Sequence, residues 1–166
     1  MKVVLISDTH GYLDPAIESY AREADEIWHA GDIGSPDVMD GLREWAPVRT
    51  VFGNIDDHLL RTEYPEYWME EFFGHRFLMI HIAGPVGRYN PKVRELIREH
   101  RPDFLICGHS HILKVVYDHN FDLLYVNPGA AGHHGFHQMR TLITFEIGEK
   151  VHNMNAVELG RRGRNL

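Results

Sequence analysis

The sequence is short of three things. It holds a single cysteine, Cys107, in 166 residues, so no disulfide can form within the chain. It has no apolar run approaching the roughly 18 residues that a membrane helix needs. Met1 and Lys2 lead into Val3-Val4-Leu5-Ile6, too brief for a signal h-region and followed at once by Ser7-Asp8. Positive charge is scarce as well. Lys and Arg number 17 against 24 Asp and Glu, a formal charge of 17 − 24 = −7. A chain of that sign is a poor general binder of nucleic acid, whose affinity comes largely from phosphates neutralised by Lys and Arg. These absences argue for a cytoplasmic protein that works without a membrane or long nucleic acid. What the chain does have is histidine, 13 of them, so any bound metal would be held by imidazole and carboxylate rather than thiolate.

Length suits one domain, and 43% apolar residues suffice for a sizeable core. Short apolar runs alternate with amphipathic stretches. Lys2–Ser7 reads as a buried strand, Glu26–Ala30 as a second and Val48–Phe52 as a third. Asp14-Pro15 and Ser35-Pro36 are helix starts, with a capping side chain before proline at the first helical position. They predict helices to about Ala24 and Trp45. Tyr67–Phe73 and Arg76–Ile82 flank Gly74-His75 as a hairpin. Asn90-Pro91 opens a third helix, to about His100. Phe104–Cys107, Lys114–Tyr117, Leu123–Val126, Thr141–Ile147 and Val151–Asn155 follow as strands. The pattern predicts an α/β fold with two sheets face to face and helices outside. One domain is expected over residues 1–158, with a frayed basic tail over 159–166.

Five polar clusters each follow an apolar strand: Asp8-Thr9-His10, Gly31-Asp32, Gly53-Asn54-Ile55-Asp56, His81, and Gly108-His109-Ser110-His111. Ligands of open α/β sheets bind beyond the carboxyl ends of strands, so five clusters can converge on one place. Asp8, His10, Asp32, Asn54, His81, His109 and His111 offer the oxygen and nitrogen donors suited to Mn, Fe, Co, Ni or Zn. Seven donors exceed one tetrahedral site and suit two adjacent ions. Asp8/His10 and His109/His111 are spaced two apart, which on a continuing strand would put each pair on one face. Gly31, Gly53 and Gly108 each precede a donor and permit close backbone approach.

The order D-x-H, GD, GN-x-D, H, GHSH resembles the calcineurin-like metallophosphoesterase superfamily. With the short length and Asn127-Pro128-Gly129, it is most similar to the small bacterial and archaeal phosphodiesterase branch. The resemblance spans Lys2 to about Ile147 and implies a four-layer αββα sandwich of two mixed sheets. It also implies one metal on Asp8, His10, Asp32 and His111 and a second on Asp32, Asn54, His81 and His109, with Asp32 bridging. Such a pair supports phosphoester hydrolysis by in-line attack of a metal-bound hydroxide. Two divalent ions are therefore expected, manganese first, with Fe, Ni, Co or Zn as alternatives. The expected substrate is a small phosphate ester, a diester before a monoester.

Three departures stand out. Ile55 occupies the place where many members carry a histidine credited with assisting the leaving group, a histidine that related small phosphodiesterases also lack. His58, His133 and His134 are the candidates to supply that proton. Ile82-Ala83 intervene between His81 and Gly84, where the branch usually has glycine directly. Ala130 replaces a frequent serine. Gly132–His137 reads as a loop able to close over substrate. Two other functions remain open: a protein-binding scaffold, as in the retromer subunit of this fold, and a nuclease for short oligonucleotides. Oligomeric state is open; Trp45, Tyr64 and Trp68 could form a homodimer surface or pack in the core.

Overall fold

The computed structural model describes residues 1–163 and holds two five-stranded mixed sheets. The first has the strand order β10-β9-β1-β2-β3, the second β4-β5-β6-β8-β7. In the first sheet, β1 (Lys2–Ile6), β2 (Glu26–His29) and β3 (Val48–Thr50) run parallel. β9 (Met139–Ile147) and β10 (Val151–Arg161) add antiparallel strands at its other edge. In the second sheet, β5 (His75–Ile80), β6 (Phe104–Ile106) and β8 (Leu123–Pro128) are parallel. They are flanked by antiparallel β4 (Tyr67–Phe72) and β7 (Leu113–Asp118).

Strand alternation creates the layers. On β1, Val3 and Leu5 join Trp28, Phe77, Met79, Ile106 and Phe145 in a core between the sheets. Val4 and Ile6 point the other way, into a second cluster with Ile17, Val38, Met39, Leu42 and Leu60 from the helical layer. That layer comprises a 3-10 turn at Pro15–Ile17 running into α1 (Glu18–Ala21), then α2 (Pro36–Arg43) and α3 (His58–Glu63). α4 (Pro91–His100) covers the second sheet through Val93, Leu96 and Ile97, which meet Leu78, Leu105 and Leu123. The expected four-layer αββα sandwich is the architecture found. Strands buried on both faces explain why their sequences are nearly continuous apolar runs.

Caps formed where the sequence placed them. Asp14, Ser35 and Asn90 accept from Ala16, Asp37 and Val93 backbone N–H groups, each ahead of a proline. Three expectations need revision. α3 lies inside the segment 55–65, which read as a pocket loop; Asp57 caps it by accepting from Leu60 N. The first helix ends at Ala21, short of Ala24. β10 continues to Arg161, three residues into the expected tail, because Leu159 and Arg161 carbonyls accept from Arg140. Residues 164–166 of that tail lie outside the described residues. Trp68 is packed against Trp28 in the intersheet core, and Trp45 and Tyr64 pack partly buried against the helical layer. No helix among the described residues is long and apolar enough to cross a membrane.

Candidate metal centre

The carboxyl ends of β1, β2, β3, β5 and β6 deliver the donors. They form two groups, Asp8–His10–His111 and Asp32–His81–His109, and the ligand atoms within each group lie within 4.8 Å of one another. The groups adjoin. His10 Nε2 is 3.3 Å from His111 Nε2 and 3.6 Å from Asp32 Oδ2. His111 Nε2 is 3.1 Å from Asp8 Oδ1, and His81 Nε2 is 3.2 Å from Asp32 Oδ1. Asn54 Oδ1 is also 3.2 Å from His81 Nε2, so all seven predicted residues meet. Asp32 approaches both groups.

The route to this convergence differs from strand continuation. β1 ends at Ile6 and β6 at Ile106, before the donors begin. Asp8, His10, Asp32, His109 and His111 have φ of 55°, 49°, 56°, 67° and 58°. Left-handed backbone is uncommon for residues other than glycine, and clusters of it mark functional sites held by their surroundings. Tight turns, rather than period-two alternation, aim these side chains.

The glycines are required by contact. A Cβ on Gly53 would lie 2.0 Å from Asp32 Oδ1, and one on Gly108 would lie 2.0 Å from Ser7 Oγ and 2.8 Å from Asp8 Oδ2. Loop braces complete the frame. Asp56 accepts from Gly34 N and Gly53 N, joining the loops after β2 and β3. His29 is fully buried, accepts from Gly31 N through Nδ1, and therefore donates through Nε2 to Thr9 Oγ1, which donates to Ile33 O. Burial drives its pKa down to about 4 against the pull of nearby carboxylates, so the ring is neutral. Asn127 Nδ2 donates to Gly108 O at 2.8 Å and to Ser110 Oγ at 3.1 Å, holding the last donor loop.

The donor chemistry fits divalent cations. His81 Nδ1 donates to Ala30 O at 2.7 Å, which leaves Nε2 of a neutral ring as a lone pair. That lone pair faces oxygens of Asp32 and Asn54, an arrangement of acceptors that needs a proton or a cation between them. Metal-ligating histidines commonly bond a carbonyl through their second nitrogen in this way. Burial opposes a charged His81, but the Asp32 hydrogen bond and the Asp8 and Asp32 charges outweigh it and raise its pKa. Asp32 shows the converse: burial works against its charge, yet the His81 hydrogen bond and charge, the Ile55 amide and His10 hold its pKa down. Burial lowers the pKa of His10, partly offset by Asp32 and Asp8.

The family model of the calcineurin-like phosphoesterase superfamily domain matches residues 1–150. The chain belongs to that superfamily. A probable metallophosphoesterase from Methanothermobacter thermautotrophicus is 33% identical over 135 residues, covering 78% of this chain and 77% of the relative. A second, from Methanocaldococcus jannaschii, is 32% identical over 78% of this chain and 68% of its own length. A solved archaeal phosphodiesterase superposes with a TM-score of 0.74 at 20% identity, covering 95% of this chain and 99% of that one. Zinc-complexed Vps29 from Entamoeba histolytica gives 0.72 at 18%, over 96% and 100%. These structural likenesses speak for the fold. Family membership and the two donor groups together point to divalent metal ions.

The other predicted residues separate. His134 is exposed, its ring 4.8 Å from that of His10. His133 turns aside: Nδ1 bonds Arg162 O and the ring packs 4.1 Å from Tyr12. His58 opens α3 on the surface. Cys107 is buried, and Arg140 pairs with buried Asp14. The brace role of His29 was not legible in the sequence, because nothing local shows what a buried imidazole bonds. Nor was the place of His137, whose ring lies 5.3 Å from His111 and whose Nε2 donates to Gly132 O.

Proposed function

We propose that this protein is a metal-dependent phosphodiesterase acting on a small phosphate ester. Asp8, His10, Asp32 and His111 would hold one divalent ion, and Asp32, Asn54, His81 and His109 the second. Manganese is favoured, and Fe, Ni, Co and Zn also match the donors. The carrying observation is the adjacency of the two donor groups with Asp32 facing both. Bound there, the ions supply Lewis-acid stabilisation for in-line displacement at phosphorus.

The chain's own residues orient the reaction. Asp8 and Asp32 balance cationic charge with carboxylates that are 0% and 2% exposed, where electrostatic interactions are strengthened. Asn54 is exposed and presents Oδ1 to His81, which leaves its amide N–H groups to a phosphate oxygen. Ile55 brings no proton donor. His134, open to solvent beside His10, takes that role for the leaving oxygen in preference to His133, whose Nδ1 is engaged.

The test is turnover of bis(p-nitrophenyl) phosphate by metal-stripped protein with and without Mn²⁺. Metal-restored hydrolysis that Asp32→Ala abolishes, along with tight binding of the second ion, is the expected result. Absence of turnover with each of Mn, Ni, Co and Zn would overturn the proposal and favour a protein-binding scaffold of the same fold.

A further inference from the structure

Ile82 follows His81 directly and leaves its side chain 38% exposed beside the donor groups. It lines two clefts. One, of about 360 Å³, reaches Asn54 and His81 and is walled by Arg61, Asn90 and Lys92. Arg61 donates to the carbonyls of Gly53, Asn54 and Asp56, and among the described residues no carboxylate pairs with it. Lys92 pairs with Glu66, so the cleft keeps net positive charge. The other cleft, of about 350 Å³, reaches His109 and is walled mainly by apolar side chains, among them Ala83, Pro85, Val86 and Ile112, with Lys114 its one lysine or arginine and no carboxylate in its lining.

A phosphodiester has two arms, and the donor groups open onto two unlike clefts that share one wall. We infer that Ile82 is a specificity-determining residue that seats an apolar or aromatic ester arm in the second cleft. The first cleft takes a polar, acceptor-rich arm. The substrate class is an unsymmetrical phosphodiester joining an apolar group to a polar alcohol. Covering the exposed face of Ile82 removes apolar surface from water, which favours such an arm over a small or polar one. The inference rests on the phosphodiesterase reading for the position of phosphorus between the clefts.

Calorimetric titration of the full, Mn²⁺-loaded chain with diphenyl phosphate and dimethyl phosphate tests it without relying on turnover. Wild type should bind the diphenyl ester about tenfold more tightly or better. Ile82→Ala should cut that preference to about threefold or less, Ile82→Leu should retain it, and Ile112→Ser in the same cleft should weaken it in part. With bis(p-nitrophenyl) phosphate, Ile82→Ala should raise KM more than it lowers kcat. Equal affinities in wild type, or full preference in Ile82→Ala, would overturn the inference. Hydrolysis without an Ile82-dependent preference would sink this inference and leave the enzyme reading standing. Ile82-dependent binding without hydrolysis of any diester would sink the enzyme reading and support the role of Ile82.

Discussion

The two sheets bring different chemistry to one site. Loops after β1, β2 and β3 supply Asp8, His10, Asp32 and Asn54, which include both carboxylates and the amide. Loops after β5 and β6 supply imidazoles alone: His81, His109 and His111. Their bracing differs too. The first set is locked by buried His29, Thr9 and Asp56, whereas the His109–His111 turn is exposed or half-buried and leans on Asn127. Two neighbouring carboxylates repel each other and lose hydration on burial, so they stay in place only with hydrogen bonds and a cation. On the second sheet only His81 is buried, while His109 and His111 stand at the solvent edge with fewer braces.

Removing one donor from each side sharpens the contrast most. Asp8→Ala should lower kcat/KM on the order of 10³-fold, and His109→Ala about 10- to 100-fold. Equal losses with bis(p-nitrophenyl) phosphate would break the comparison. The next largest effect concerns His29, whose pKa is about 4 when folded against an ordinary 6.5. Between those values the unfolded chain holds more protons. The contribution of His29 to stability is therefore full above pH about 6.5 and falls as pH drops towards 4, by about 3 kcal/mol. Urea melts across that range should show the decline, and His29→Gln should flatten it while lowering stability at neutral pH.

On the second sheet, Asn127→Ala strips the buried donor from Gly108 O. A cost of about 1–3 kcal/mol in stability is expected, with metal affinity falling about 10-fold. Loss of stability alone, with metal binding intact, would show that the histidine turn holds itself. The smallest effect is a null. Burial pushes the Cys107 thiol up to about 12, so a disulfide reagent at pH 8 should label it only after unfolding. Rapid labelling of native protein would mean that the second sheet opens readily.

Much of this was legible in the chain. Asp14-Pro15, Ser35-Pro36 and Asn90-Pro91 announced three helix starts because a capping side chain and proline act within one turn. Apolar runs at Val3–Ile6 and Phe77–Ile80 announced buried strands, and the polar residue after each announced the site. α3 escaped notice because six residues carry too little periodicity against the Gly53–Asp56 turn before them. The role of His29 escaped because its partners, Thr9 and Gly31, meet it only once β1 and β2 pair.

The sequence by itself determined the candidate donors, their order at strand ends and the layered α/β architecture, since those depend on residue type and short-range pattern. The tertiary structure decided the rest. It turned five donors into left-handed backbone, pressed Gly53 against Asp32 and Gly108 against Asp8, and separated His134 from His133. It also set Ile82 between a cleft walled by Arg61 and Lys92 and one walled mainly by apolar side chains. Those outcomes depend on atoms far apart in the chain whose distances exist only after both sheets have packed, and no local pattern encodes a distance.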